Sequence, residues 1–261
     1  MAWNPDPRAV AAAQTVPTAG VDAARLDAGL RKYMLGVYNW MASGLLLTGI
    51  VALLVATTPA IFELFYQRVV TPRGVVAGPT ILGWVAMLSP LAFILVLSFG
   101  VNRLSATSAQ ALYWAFAAVM GLSLSTIFVI YTTESIARVF FIAAGMFAAM
   151  SIWGYTTSRD LTKMGSFMIM GLFGIIIAGL VNLFLASSAL AFAISIIGVI
   201  VFVGLTAWDT QRIKSDYIAY AYAEGTEAAA KRTVFDALAL YLNFINLFQL
   251  LLSLLGNRQS E

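Results

Sequence analysis

Seven stretches of this chain contain no charged residue at all: 33–57, 80–101, 109–133, 139–158, 164–187, 189–208 and 237–257. The fifteen Lys and Arg and the twelve Asp and Glu all fall between or beyond them. An ionisable side chain at the centre of a bilayer costs about 2.5–3.5 kcal/mol on insertion scales, so charge is excluded where a chain crosses lipid. A hydrocarbon core of about 30 Å takes roughly 20 apolar residues of helix, and every stretch meets that length. Uninterrupted runs also exclude a transmembrane barrel, whose strands are about 10 residues of alternating polarity. The pattern predicts an all-α membrane protein, a bundle of seven transmembrane helices. Composition agrees: 61% of residues are hydrophobic and 10% charged, against about 45–50% and about 25% in soluble domains. Residues 164–208 are uncharged throughout, too long for one span, so a turn is predicted at Leu185-Ala186-Ser187-Ser188.

Two regions are expected: a flexible polar tail over 1–30, with Pro5, Pro7 and Pro17, and a membrane domain over 31–257. The first apolar run starts too late and is too long for a cleavable signal peptide. If the N-terminus is cytoplasmic, eleven Lys and Arg fall on inside segments and four (Arg68, Arg73, Arg138 and Arg258) on outside segments. The positive-inside rule then places the N-terminus inside and the C-terminus outside the membrane.

Missing residue types narrow the chemistry. The chain has no cysteine and no histidine, which removes disulfides, thiolate nucleophiles, His-based metal sites and Ser-His-Asp triads. A net charge of +3 carries no clustered basic face for nucleic acid. There is no Walker loop or dinucleotide fingerprint, and no cofactor is expected. Pro90 sits mid-way along the second span, where it should free a carbonyl that a neighbour must satisfy. Ala144/Ala148 and Gly145/Ala149 recur four apart, a spacing that lets helices approach closely.

The informative polar groups stand at helix margins. Asp209 directly follows the sixth uncharged run, and Arg103 follows the second, which crosses in the same direction. The two should lie at similar depth, either paired or each snorkelling to headgroups. On the last helix, Asp236, Asn243 and Asn246 are spaced seven and three apart and share one face, with Asp236 about 10 Å nearer the cytoplasm. Such a stripe turns inward, for interhelix hydrogen bonds or to line an aqueous path.

Ala207-Trp-Asp209-Thr-Gln-Arg-Ile-Lys214 and Ala239-Leu-Tyr-Leu-Asn243-Phe-Ile-Asn-Leu-Phe248 closely resemble the Bax inhibitor-1 (transmembrane Bax inhibitor motif) family. Gly121-Leu-Ser-Leu-Ser-Thr-Ile-Phe128 and Gly154-Tyr-Thr-Thr-Ser-Arg-Asp-Leu-Thr162 look like further blocks of its bacterial branch. The resemblance covers roughly residues 26–256 and implies seven helices with the last near the centre, in a bacterial inner membrane. It also implies a pH-sensitive calcium leak, closed by a latch of two aspartates and an arginine. Asp209 matches the first aspartate and Arg103 the arginine, while Asn243 stands where the second aspartate would be. With an amide there, only Asp209 can titrate, so pH sensing is expected to be weakened or moved to lower pH, with Asn243 donating its NH₂ to the carboxylate.

Two functions follow as expectations. The first is a pH-modulated cation leak channel or transporter, with Asp209, Asn243 and Arg103 as gate and Asn246 and Asp236 lining the path. Asp209 would be at best a weak calcium ligand, since one carboxylate and two amides make a poor site. The second is a regulatory protein whose N-terminal tail engages a membrane-anchored ATP-dependent protease, as the resemblance implies for some bacterial members. Intramembrane hydrolysis lacks a second carboxylate beside Asp209, and every lysine lies outside the uncharged runs, so the chain is not expected to be an enzyme.

Overall fold

The computed structural model describes residues 20–71, 74–100, 104–220 and 226–259. It is mostly helical: α1 (Gly20–Thr57), α2 (Pro59–Phe65), the strands β1 (Tyr66–Thr71) and β2 (Gly74–Pro79), α3 (Ile81–Gly100), α4 (Ala106–Leu124), α5 (Ile127–Ile130), α6 (Thr133–Thr156), α7 (Thr162–Leu185), α8 (Ser188–Tyr220) and α9 (Thr226–Leu255). Six described segments are long and apolar enough to cross a membrane: Leu26–Thr57, Ala106–Ile130, Thr133–Thr156, Thr162–Leu185, Ser188–Tyr220 and Glu227–Leu255, with Ile81–Val96 as a shorter apolar helix. That is one fewer than the uncharged runs suggest, because the described apolar part of α3 is shorter than the others.

Helix ends also move relative to the runs. The first helix begins at Gly20 and takes in the last eleven residues of the expected tail. α8 continues to Tyr220, and α9 starts at Thr226. Absence of charge marks where a helix is in lipid and says nothing about where it stops, because charged residues extend a helix into water at little cost.

The chain divides into two compact units, Met1–Trp40 with Val139–Leu254 and Met41–Arg138 with Leu255–Glu261. In the first, α9 is the most enclosed helix: 56% of its most apolar window is buried, against none of that in α7. α7 packs on α8 and turns Phe167, Phe173 and Phe184 outward, as a lipid-facing helix does. The predicted turn is present. α7 ends at Leu185, and Ala186 takes a left-handed conformation (φ 47°), its N–H donating to the Asn182 carbonyl at 2.8 Å. The Asn182 side chain accepts from the Ser187 N–H at 3.0 Å, and the Ser187 hydroxyl accepts from the Leu190 N–H at 3.3 Å, capping α8. A Cβ in the left-handed region costs about 1–2 kcal/mol. Ala186→Gly is therefore expected to stabilise the protein by about 1 kcal/mol, measured as a rise in Tm in detergent.

Close approach between helices in this unit falls at Gly154, where a Cβ would run into the Ala207 backbone, and at Gly165, where it would meet the Trp208 ring. It does not fall at the recurrence read from the sequence. A Cβ on Gly145 would meet nothing within 4 Å, and Ala148 and Ala149 are exposed. Spacing alone cannot say which side of α6 faces protein.

In the second unit β1 and β2 form an antiparallel hairpin in the register Tyr66↔Pro79 to Thr71↔Gly74, which the uncharged-run pattern does not foresee. Its buried Tyr66 donates to the Leu122 carbonyl at 3.3 Å, while Ser125 donates to the same carbonyl at 2.7 Å. These bonds lie at the break between α4 and α5, where a single helix over 109–133 was expected. Pro90 does lie inside α3. It leaves the Ala86 carbonyl without an N–H partner, and the Ser89 hydroxyl donates to that oxygen at 2.9 Å. The chain end is tied back as well: Gln259 N–H donates to Ile130 O at 2.9 Å and Thr132 N–H to Asn257 O at 3.1 Å.

Candidate functional site

Positioning starts with α8. Thr206 and Thr210 turn their hydroxyls back onto the carbonyls of Phe202 and Thr206, at 2.7 and 2.9 Å, which hides both polar groups inside an apolar helix. Gly154 on α6 and Gly165 on α7 admit Ala207 and Trp208 at contact distance. The next residue is Asp209, 7% exposed.

Its carboxylate is fully engaged. Asn243 Nδ2 of α9 donates to Oδ2 at 2.7 Å. Arg212, one turn further along α8, donates to Oδ1 through Nε at 3.0 Å and Nη2 at 2.8 Å. The same guanidinium lies 3.9 Å from Asp236 Oδ1 of α9 and 3.9 Å from Asp216 Oδ2. Asp236, 5% exposed, also accepts from the Tyr33 hydroxyl of α1 at 2.6 Å. Three helices thus meet on one arginine and two buried carboxylates. Among the described residues every buried side-chain nitrogen and oxygen has a partner, as a low-dielectric site requires.

Further polar contacts frame this cluster. Thr210 donates to Ser151 of α6 at 3.4 Å and lies 3.5 Å from the Tyr38 hydroxyl of α1. Gln211 brackets the loop before α7, accepting from Leu161 N–H at 2.8 Å and donating to Arg159 O at 2.7 Å. In that loop the Thr162 hydroxyl and N–H, donating at 2.6 and 2.9 Å, hold the exposed Asp160 carboxyl below the usual carboxylate range.

Of the residues singled out in the sequence, Asp209, Asn243 and Asp236 come together. Asn246 does not join them: its Nδ2 donates to the Leu242 carbonyl of its own helix at 2.8 Å. Sharing a face places a residue toward the interior, but an amide that can bond its own helix needs no partner there. Arg103 lies outside the described residues. The guanidinium seen on Asp209 belongs to Arg212, and Tyr33 is the second participant the sequence reading omitted. Arg212 had a legible signal, an acid three residues before it on one helix face; Tyr33 had none.

A cation would have to compete for this site. Both Asp209 oxygens are taken, one by an arginine, and among the described residues no group of three or more acidic side chains is placed to hold a metal. Rather than a coordination sphere, the arrangement is a polar bolt between α8 and α9. Its interhelix link is a short charge-assisted hydrogen bond in a buried setting.

A family model described as "Inhibitor of apoptosis-promoting Bax1" matches residues 30–260. Protein RP147 of Rickettsia prowazekii is 49% identical over 233 residues, covering 89% of this chain and 92% of that one. Inner membrane protein YbhL of Escherichia coli is 45% identical over 234 residues, covering 89% and 94%. A protein of Caulobacter vibrioides is 43% identical over 247 residues, covering 95% and 96%.

Proposed function

The chain belongs to the Bax inhibitor-1 family of integral membrane proteins, and from that premise we propose that it is a cation leak pathway of the bacterial inner membrane whose gate is the Asp209–Asn243 bond. The observation that carries the reading is the 2.7 Å bond from Asn243 to a buried Asp209. It is a charge-assisted hydrogen bond from within the uncharged run of the enclosed helix α9 to the acid at the end of the α8 run. An inner-membrane location takes its support from the relative YbhL. In this reading α3 is the seventh span, since twenty helical residues, Ile81–Gly100, reach about 30 Å. The N-terminus is cytoplasmic by the distribution of Lys and Arg, which sets the bolt at the cytoplasmic end of the pathway.

The amide defines how this member differs from one with two aspartates. The Asn amide carries no titratable proton, so the pairing with the Asp209 carboxylate needs no proton shared between two acids. Calcium is the ion to test first, entering only once the carboxylate is released from Asn243. Protein in liposomes loaded with a calcium dye gives the measurement. Asp209→Ala removes the acceptor and is expected to raise the leak at least about tenfold, the equivalent of one charge-assisted hydrogen bond. Wild type should leak alike from about pH 6 to about pH 8, and Asn243→Asp should make the leak pH-dependent over that range. Absence of calcium entry in wild type and in Asp209→Ala alike would overturn the proposal.

A further inference from the structure

Beside the bolt, within the same unit, α1 and α6 enclose an open groove of about 700 Å³. Its walls are graded. Asp27 and Arg31 stand at one end, and Met34 and Leu35 of α1 with Ala148 and Ile152 of α6 make most of the other, where the hydroxyls of Tyr38 and Ser151 are already turned to Thr210. Both helices change character at the same level. Asp27 and Arg31 immediately precede the uncharged run 33–57, while Tyr155, also in the wall, nears the end of the run 139–158. The polar end therefore lies at a bilayer boundary and the apolar end inside the hydrocarbon. Ala148 and Ile152 are exposed, leaving the groove open toward lipid.

The charges at the boundary are arranged as a pair without being spent on each other. Asp27 and Arg31 are exposed, and neither forms an ion pair with another described residue. They stand four residues apart on one helix face, about 6 Å along the axis. Lys214, a further cation near the rim, is committed to Tyr155: it donates to that carbonyl at 2.8 Å and lies 4.9 Å from the ring centre.

We propose that this groove is a headgroup-selective lipid site, occupied by a phospholipid of the phosphatidylethanolamine type. Arg31 takes the phosphodiester in a two-pronged contact. Asp27 accepts from the primary ammonium two carbons away, and the first part of one acyl chain lies along Met34, Leu35, Ala148 and Ile152. The charge pattern selects among lipids. A choline has no N–H to give Asp27, and a purely anionic headgroup leaves Asp27 facing the phosphate with no cation of its own. A volume of about 700 Å³ is within the ordinary range for a ligand pocket and holds a headgroup, glycerol and part of one chain. The rest of the lipid stays in the bilayer. This site stands on the groove alone and is independent of the leak.

Native mass spectrometry of the full chain, delipidated in detergent and titrated with dioleoyl phosphatidylethanolamine, phosphatidylcholine or phosphatidylglycerol, tests it. One ethanolamine lipid should be retained at collision energies that strip the other two. Arg31→Gln should weaken that lipid about tenfold, one charge-assisted contact. Asp27→Asn should abolish the preference over choline while leaving lipid bound. Ala148→Trp fills the groove and should remove the retained lipid; if that variant does not fold, Leu35→Gln on the exposed wall is expected to weaken it in the same way. Equal retention of all three lipids, retention unchanged when the groove is filled, or displacement by soluble phosphoethanolamine alone would overturn the proposal.

Discussion

Arg212→Ala is expected to destabilise the protein by about 3 kcal/mol, which no other side-chain truncation in the polar cluster should exceed. The reason is what the arginine leaves behind. Asp209 would keep the Asn243 amide, and Asp236 the Tyr33 hydroxyl and the more distant charge of Arg232, in side chains that are 10% and 7% exposed. An ionised carboxylate stripped of its cation in such a setting typically costs about 3–5 kcal/mol. The lower end applies because the Arg212 side chain is 33% exposed and water already reaches the guanidinium. Arg212→Lys keeps the charge but loses the paired donation from Nε and Nη2, so its loss should be about half as large. The decisive comparison is the double variant Arg212→Met with Asp209→Asn. Removing the Asp209 carboxylate together with the cation eliminates one of the two uncompensated charges, so the pair should recover about half of the stability lost in Arg212→Ala, with Asp236 still lacking Arg212. Thermal unfolding in detergent, with the four proteins side by side, reads this out. Additive losses in the double variant would show that the arginine contributes by packing on Trp208, 5.5 Å from its ring centre, and not by neutralising Asp209.

The arginine shows what the sequence could and could not tell about this site. Uncharged runs located the helices because exclusion of charge from lipid is a strong, local effect, visible in one dimension. The turn at Ala186 was legible for the same reason, since a run too long to cross once must fold back. Residues at the margins of the runs were legible as special, and the Asn243 amide on Asp209 was legible from the family blocks, but the arginine on Asp209 was not. Depth arguments put Arg103 level with Asp209; Arg103 lies outside the described residues, and the guanidinium seen on Asp209 is that of Arg212, one turn away on the same helix. A pairing between elements depends on how those elements rotate and tilt, whereas one within a helix depends on spacing alone. Asn246 illustrates the converse. It shares a face with Asn243, yet it bonds its own helix, because the stripe specifies a direction and not a partner. The β1–β2 hairpin was missed because it lies between runs, where hydropathy carries no signal; the alternative cue was Val69-Val70-Thr71-Pro72-Arg73-Gly74, β-branched residues leading into a Pro and Gly turn.

Gly154→Ala is the second large effect expected, about 3 kcal/mol of lost stability together with a disturbed Asp209–Asn243 bond. A methyl group at Gly154 would collide with the Ala207 carbonyl and lie 2.9 Å from its carbonyl carbon and Cα. The obstacle is the backbone of α8 itself, which cannot turn aside as a flexible side chain could. Overpacking normally costs about 1–3 kcal/mol, and the upper figure applies where a whole helix must shift. That shift has a direction: Ala207 would move away from α6, carrying Asp209 two residues on, and the 2.7 Å bond to Asn243 would lengthen or realign. The same substitution at Gly145, on the same helix but with nothing within 4 Å of an added Cβ, should be neutral or stabilising by up to about 1 kcal/mol, as helix propensity dictates. Measuring both variants separates close approach from propensity. If Gly154→Ala unfolds at a lower temperature and, on the proposed function, leaks calcium while Gly145→Ala does neither, then the small residue at 154 sets the position of Asp209. Equal behaviour of the two would mean that α6 does not constrain α8, and that Asp209 is held by Asn243 and Arg212 alone.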